Sequence, residues 1–179
     1  MYNYFNIIVG VILMNIVLIG MPGCGKSTIG VILAKSLLCN FIDTDILIQN
    51  KYKKSLCEII ESVGIKEFKK IENEVISNIK CDNCVIATGG SAVYGAEAMK
   101  NLKSNGKIFY LQLTNEEIQS RIKNIKSRGV VMNKHCTLQD LFNERTPLYE
   151  LYSDITVNCS GLSVEQCVNI IVDKIYKMT

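Results

Sequence analysis

The stretch GMPGCGKSTIG, residues 20–30, sets closely spaced glycines beside a lysine and two hydroxyl residues. Gly20, Gly25, Lys26 and Ser27 fit the spacing G-x-x-x-x-G-K-[ST]. Gly23 and Gly25 permit backbone conformations that a Cβ would obstruct. Successive N–H groups can then turn inward around phosphate oxygens, and a helix starting here adds partial positive charge at the same point. Lys26 is expected to reach the β- and γ-phosphates, and the Ser27 hydroxyl to bind Mg²⁺. Gly23, Cys24, Gly25, Lys26, Ser27 and Thr28 are the expected ATP-binding residues of this loop. Cys24 fills a small-residue slot and is given no catalytic role. The alternative, a glycine-rich turn with no ligand, fits poorly between an apolar run and a helical pattern.

A phosphate cradle does not name the acceptor. A guanine-reading N-K-x-D is missing, since Asn133 and Lys134 run on to His135 and Cys136. The stretch FIDTDILIQ places Asp43 and Asp45 two residues apart at the end of an apolar run. In an extended chain they share one face, at the carboxyl end of a parallel strand, where such folds bind ligands. Asp43 is then expected to face the Mg²⁺–phosphate side and Asp45 to take a proton from an acceptor hydroxyl. The alternative is an Asx turn, with Asp45 capping a helix that begins near Ile46. In VIATGGSAV a buried run ends at Gly89 and Gly90, which suits close approach of a ligand.

Arginine is scarce in a chain where lysine dominates, which draws attention to Arg121, Arg128 and Arg145. Their planar forks match phosphate and carboxylate as lysine cannot. Arg128 lies in KNIKSRGVVMNKHC, residues 123–136, a basic stretch between two helical patterns. This is either an idle surface loop or a mobile lid. An arginine arriving with a closing lid would stabilise charge on the transferring phosphoryl group and exclude water.

These residues need a frame. Apolar runs at 16–19, 40–43, 84–87, 107–113 and 154–157 read as strands. Helical patterns follow at 25–38, 56–60, 65–79, 95–103, 115–123, 137–151 and 163–178. In the last, Val164, Cys167, Val168, Ile171 and Ile175 make one apolar stripe. The alternation predicts an α/β fold with a parallel sheet covered on both faces. Length suits one domain of 179 residues, and 48% hydrophobic with 21% charged residues is ordinary globular usage.

The net charge of +3 is scattered, so nucleic acid and membrane surfaces are not expected partners. Eight cysteines in a chain of this length, without a secretory signal, read as reduced thiols of a cytoplasmic protein. Cys81 and Cys84 have CxxC spacing, but zinc takes roughly four ligands and no second pair accompanies them. The apolar stretch from Ile7 to Ile19 falls short of the about 18 residues of a spanning helix. Residues 1–13 are read as an upstream extension, with Met14 the natural start, because MNIVLIG already supplies a complete first strand.

GMPGCGKSTIG, DTD, EFKKIE, TGGSAV, SRG and ERTPLY occur in the order and spacing of shikimate kinases, which the chain resembles from Met14 to its end. The resemblance implies a single P-loop kinase domain over 14–179, with a five-stranded parallel sheet of the nucleoside-monophosphate-kinase-like build. Substrate-binding helices would occupy about 44–80 and a lid about 123–137. It implies transfer of the γ-phosphoryl of ATP to the 3-hydroxyl of shikimate, with Mg²⁺, by a cytoplasmic protein expected to be a monomer. By position, Asp45 matches the residue that binds shikimate hydroxyls, and Asp43 the one that supports Mg²⁺ through water. Gly89, Gly90 and Arg145 match substrate-lining positions, and Glu72 an acidic brace. Arg128 matches the lid arginine at the phosphates, and Arg121 the one beside adenine.

Three positions depart from the family pattern. Lys69 stands where an arginine grips the carboxylate, Ser91 where a third glycine is usual, and Gly129 where proline follows the lid arginine. All three lie on the acceptor side. Two other functions keep the same motifs: a kinase for another small hydroxy acid or polyol, and a nucleotide-binding regulator without turnover.

Overall fold

The structure is a computed structural model that describes residues 14–122, 129–132 and 136–178. Residues 1–13, and with them the expected extension, lie outside the described residues. So does Arg128, with most of the expected lid.

The strands are β1 (Asn15–Ile19), β2 (Asn40–Asp43), β3 (Cys84–Ala87), β4 (Gly106–Gln112) and β5 (Ile155–Asn158). They form one parallel sheet in the order β2-β3-β1-β4-β5. The apolar first strand lies at the centre. Asn15–Ile19 is buried along its whole length, and Val17 pairs with Ile86 on one side and Ile108 on the other. A strand flanked on both edges and covered on both faces has no place for alternating polar residues. The single exception, Asn15, is satisfied: its amide donates to the Cys81 carbonyl and accepts from the Cys84 N–H.

The helices are α1 (Lys26–Leu37), α2 (Thr44–Tyr52), α3 (Leu56–Ser77), α4 (Ala96–Ser104), α5 (Asn115–Arg121), α6 (Leu138–Tyr152) and α7 (Val164–Tyr176). Ser55, Thr114, Thr137 and Ser163 close capping boxes on α3, α5, α6 and α7. Each satisfies backbone N–H groups that a helix start leaves unpaired. The stripe expected on α7 is its buried face: Cys167, Val168, Ile171 and Ile175 all lie in the main core.

Two stretches of helix differ from the sequence reading by more than a residue or two at an end. Helix α3 runs through the expected gap, with a break at Gly64, where φ is 79° and ψ 162°. Helix α2 was read from the residues only as the alternative to an extended DTD, a helix beginning near Ile46, because Ile46, Leu47 and Ile48 prolong the apolar run of β2. Its start corrects the reading of DTD. Asp45 is not extended beside Asp43; it lies in the first turn of α2. Nor does Asp45 cap that helix: Asp43 does, accepting from the N–H groups of Asp45 and Ile46.

A second, smaller hydrophobic cluster holds Ile48 of α2, Ile59, Phe68 and Ile71 of α3, and Val131. It packs these two helices against each other and against Val131.

Candidate active site

The loop between β1 and α1 begins the site. Gly25 precedes the first helical residue with φ 101°, a left-handed conformation that suits glycine. Lys26 then folds back across the loop and is only 7% exposed. Its ammonium donates to the Gly20 carbonyl at 2.7 Å and the Met21 carbonyl at 2.9 Å. The Cys24 thiol lies 3.6 Å from the same nitrogen and is buried in the core, so Cys24 serves the loop through its backbone. Ser27 and Thr28 are exposed at the start of α1.

A cavity of about 630 Å³ opens over this loop. The loop and α1 supply Gly23, Gly25, Lys26, Ser27 and Thr28, and Arg121 comes from the end of α5. The opposite wall is built from Asp45 of α2, Phe68 and Glu72 of α3, and Thr88 to Ser91 after β3. Arg145 of α6 and residues Gly129 to Val131 complete it. A smaller space of about 360 Å³ adjoins, lined by Ser27, Asp43, Asp45, Gln49 and Gly129 among others. Asp45 therefore faces both the loop's hydroxyl and the larger cavity, although it reaches that place from a helix and not a strand.

Gly89 sits where two carboxylates converge. A Cβ built on it would land on Glu72 Oε1 and 2.7 Å from Asp45 Oδ1. Its N–H donates to the buried Thr44 hydroxyl at 2.9 Å, which locks the turn after β3 to the start of α2. The Gly90 carbonyl accepts the Tyr149 hydroxyl at 2.7 Å. Sequence reasoning missed both Thr44 and Tyr149. The first is hidden between the two aspartates of DTD, and the second sits in the apolar half of ERTPLY.

Burial pushes the Asp45 carboxyl up to about 6, with Asp43 adding to the rise and Lys26 opposing it. Glu72 is only 2% exposed, and burial pushes it up to about 7 against the Ser91 hydroxyl bond. Ser91 donates that bond to Glu72 Oε2, so the departure from glycine gives the brace a partner.

Arg145 is the largest of the fully buried side chains, 1% exposed. It donates to the Val131 carbonyl at 2.6 Å and to the Tyr94 hydroxyl at 3.2 Å. Among the described residues no carboxylate pairs with it. Lys69 is half-buried and outside the cavity lining; its amine stands over the Tyr94 ring. Burial, and then the Cys84 side chain, push the Cys81 thiol well above its usual range. A thiolate nucleophile or metal ligand needs the opposite shift.

Among the described residues, no group of three or more His, Cys, Asp and Glu side chains could hold a metal. The donors beside the loop, Ser27, Asp43 and Asp45, are all oxygens. That set suits Mg²⁺, which takes one or two carboxylates and completes its shell with water and substrate phosphates. No helix among the described residues is long and apolar enough to cross a membrane.

Comparison with known proteins gives a consistent result. A family model described as shikimate kinase matches residues 22–176. A shikimate kinase of Francisella tularensis subsp. holarctica is 41% identical over 159 residues, covering 87% of this chain and 90% of that protein. A structure of shikimate kinase from Acinetobacter baumannii in complex with shikimate superposes with a TM-score of 0.86 at 29% identity, over 93% of this chain and 95% of that one. The shikimate kinase of Aquifex aeolicus gives a TM-score of 0.75 at 33% identity, over 89% of this chain and 94% of that one.

Proposed function

The chain belongs to the shikimate kinase family, and from that premise we propose that it phosphorylates the 3-hydroxyl of shikimate with ATP. The observation that carries the acceptor's chemistry is Arg145. A buried guanidinium without an anionic partner is costly, and this one lines the cavity that the phosphate loop opens into. A carboxylate on the acceptor supplies the missing charge.

In this reading the backbone N–H groups of Gly23, Cys24, Gly25, Lys26, Ser27 and Thr28 hold the triphosphate, and Arg121 lies beside the base. Lys26 has its ammonium at the cavity floor, where exchange of the Gly20 and Met21 carbonyls for phosphate oxygens keeps it solvated by acceptors. Ser27 and Asp43 hold Mg²⁺, Asp43 through water; when bound, the ion neutralises charge on the phosphates. Arg145 and Lys69 receive the acceptor's carboxylate, while Gly89 and Gly90 let its ring approach the backbone.

Asp45 accepts the 3-hydroxyl proton as the oxygen bonds to the γ-phosphorus and the bond to the ADP oxygen breaks. Positioning and charge stabilisation supply most of the acceleration in this chemistry. We place Arg128 at the phosphates, on a lid over 123–137. All of the proposed site residues come from one chain, so a monomer suffices. The buried thiols of Cys24, Cys84, Cys159 and Cys167 suit a reducing, cytoplasmic setting.

The test is a coupled assay of ADP release with ³¹P NMR of the product. Release that depends on shikimate, with a new phosphomonoester at the 3-position, supports the reading. Release with a different hydroxy acid and never with shikimate rejects the acceptor. Tight ATP binding with no turnover on any acceptor rejects the kinase.

A further inference from the structure

Lys69 and Arg145 meet on one aromatic ring. Tyr94 ends the 3₁₀ turn Ala92–Tyr94, three residues beyond Ser91. Lys69 Nζ stands 3.5 Å from the centroid of its ring, and Arg145 Cζ 5.3 Å from the same centroid. The Tyr94 hydroxyl donates to Glu144 Oε1 at 2.6 Å and accepts from Arg145 Nε at 3.2 Å. The ring plane is thereby fixed at its polar end, while its face carries the ammonium.

That face answers a physical problem. Burial, and then the Arg145 charge, push the Lys69 ammonium below its ordinary range, with Glu144 and Glu72 opposing. Two cations are being brought together in a partly dry place. Among the described residues neither Glu72 nor Glu144 resolves it by an ion pair. The π face of Tyr94 does, because a ring quadrupole attracts a cation at this distance. A lysine is a point charge on a flexible stem and lacks the pre-set fork of arginine. Something must restrict it if its charge is to stand ready for a ligand.

We propose that Tyr94 is a positioning residue for the acceptor, its ring holding the Lys69 ammonium beside Arg145 so that the two cations together receive the acceptor's carboxylate. The inference rests on the function proposed above, and Tyr94 acts through Lys69 without touching the reacting atoms.

A double-mutant cycle with Tyr94→Leu and Lys69→Met tests it through shikimate-dependent ADP release. Tyr94→Leu alone is expected to raise KM for shikimate about 3- to 30-fold, with kcat and KM for ATP within about twofold. In the Lys69→Met background the same change is expected to raise KM for shikimate less, the remainder being the loss of the Tyr94 hydroxyl from Arg145, which Tyr94→Phe measures by itself. An equal rise in both backgrounds overturns the proposal, as does a fall in kcat with KM unchanged.

The second measurement needs neither turnover nor a variant of Tyr94 that folds. Lysines are reductively ¹³C-methylated, and the Lys69 resonance is identified by its loss in Lys69→Met. A ring-current shift of that resonance away from the exposed lysines supports docking on Tyr94. A position among the exposed lysines overturns it. A wild-type protein that ignores shikimate rejects the proposed acceptor, and the resonance alone then decides the docking.

Discussion

Glu72 accepts the Ser91 hydroxyl on Oε2 at 2.5 Å, while its Oε1 is buried against Gly89 without a hydrogen-bond partner. Half of this carboxyl is satisfied and half is not. An unmet buried acceptor costs more when charged than when neutral, which is why burial raises Glu72 to about 7. The folded state therefore favours the protonated acid. The stability this contributes is fully present below the unfolded value of 4.5 and is lost as pH rises through about 7. Glu72→Gln cannot ionise. Its stability relative to wild type, from urea unfolding, is expected to increase between about pH 5 and about pH 8. A pH-independent difference would show that Glu72 stays charged in the fold. Ser91→Ala removes the bond that lowers Glu72 and is expected to cost about 1–3 kcal/mol.

Asp45 gives a kinetic counterpart. A base raised to about 6 is ionised above that pH and protonated below it. The acid limb of kcat/KM is expected near pH 6, since that ratio reports the free enzyme. Asp43 contributes to the rise by its charge. Asp43→Asn keeps the cap on α2 and is expected to move the limb to lower pH, whatever it does to the maximum rate.

The assigned roles separate in the variants Lys26→Ala and Asp45→Asn. Lys26→Ala removes the only ammonium that bonds the loop carbonyls of Gly20 and Met21 among the described residues, and turnover is expected to vanish almost entirely. Asp45→Asn is expected to lose on the order of 10²- to 10⁴-fold in kcat. Nucleotide affinity, by isothermal titration, should stay within about threefold, because the role proposed for Asp45 is toward the acceptor and not the triphosphate. Near-normal turnover of Asp45→Asn would remove it from the reaction.

Arg145→Lys keeps the charge and loses the fork that holds the Val131 carbonyl and the Tyr94 hydroxyl together. The expected effect is a rise of about 10- to 100-fold in KM for shikimate. KM for ATP should hardly move.

The sheet was legible because β3, nearly all of β1 and the middle of β4 are apolar and buried, as strands of a covered parallel sheet are. Asn40–Asp43 and Cys84–Ala87 match their expected bounds, β1 differs by a residue at one end, and β4 and β5 by a residue at both ends. Helix α2 was legible only as an alternative, since Ile46 to Ile48 continue the hydropathy of β2. The signal that marks its start, the short acidic side chain of Asp43 three residues before Ile46, was present but assigned to Asp45.

The site was legible where chemistry is carried by backbone spacing, as in Gly25 and Lys26. It was not legible where it depends on distant side chains meeting. Nothing in the order of residues says that Lys69 and Arg145 both reach the Tyr94 ring, or that Thr44 bonds the N–H of Gly89. Those contacts exist only once α2, α3 and α6 are packed around the end of β3.

A crystal structure with a non-hydrolysable ATP analogue and shikimate tests the central claim most directly. The account places both molecules in the one cavity, the shikimate carboxylate on the Arg145 guanidinium and its 3-hydroxyl within hydrogen-bond reach of Asp45 and facing the γ-phosphate. Shikimate bound elsewhere, or with its carboxylate away from Arg145 and no hydroxyl near Asp45, would contradict it.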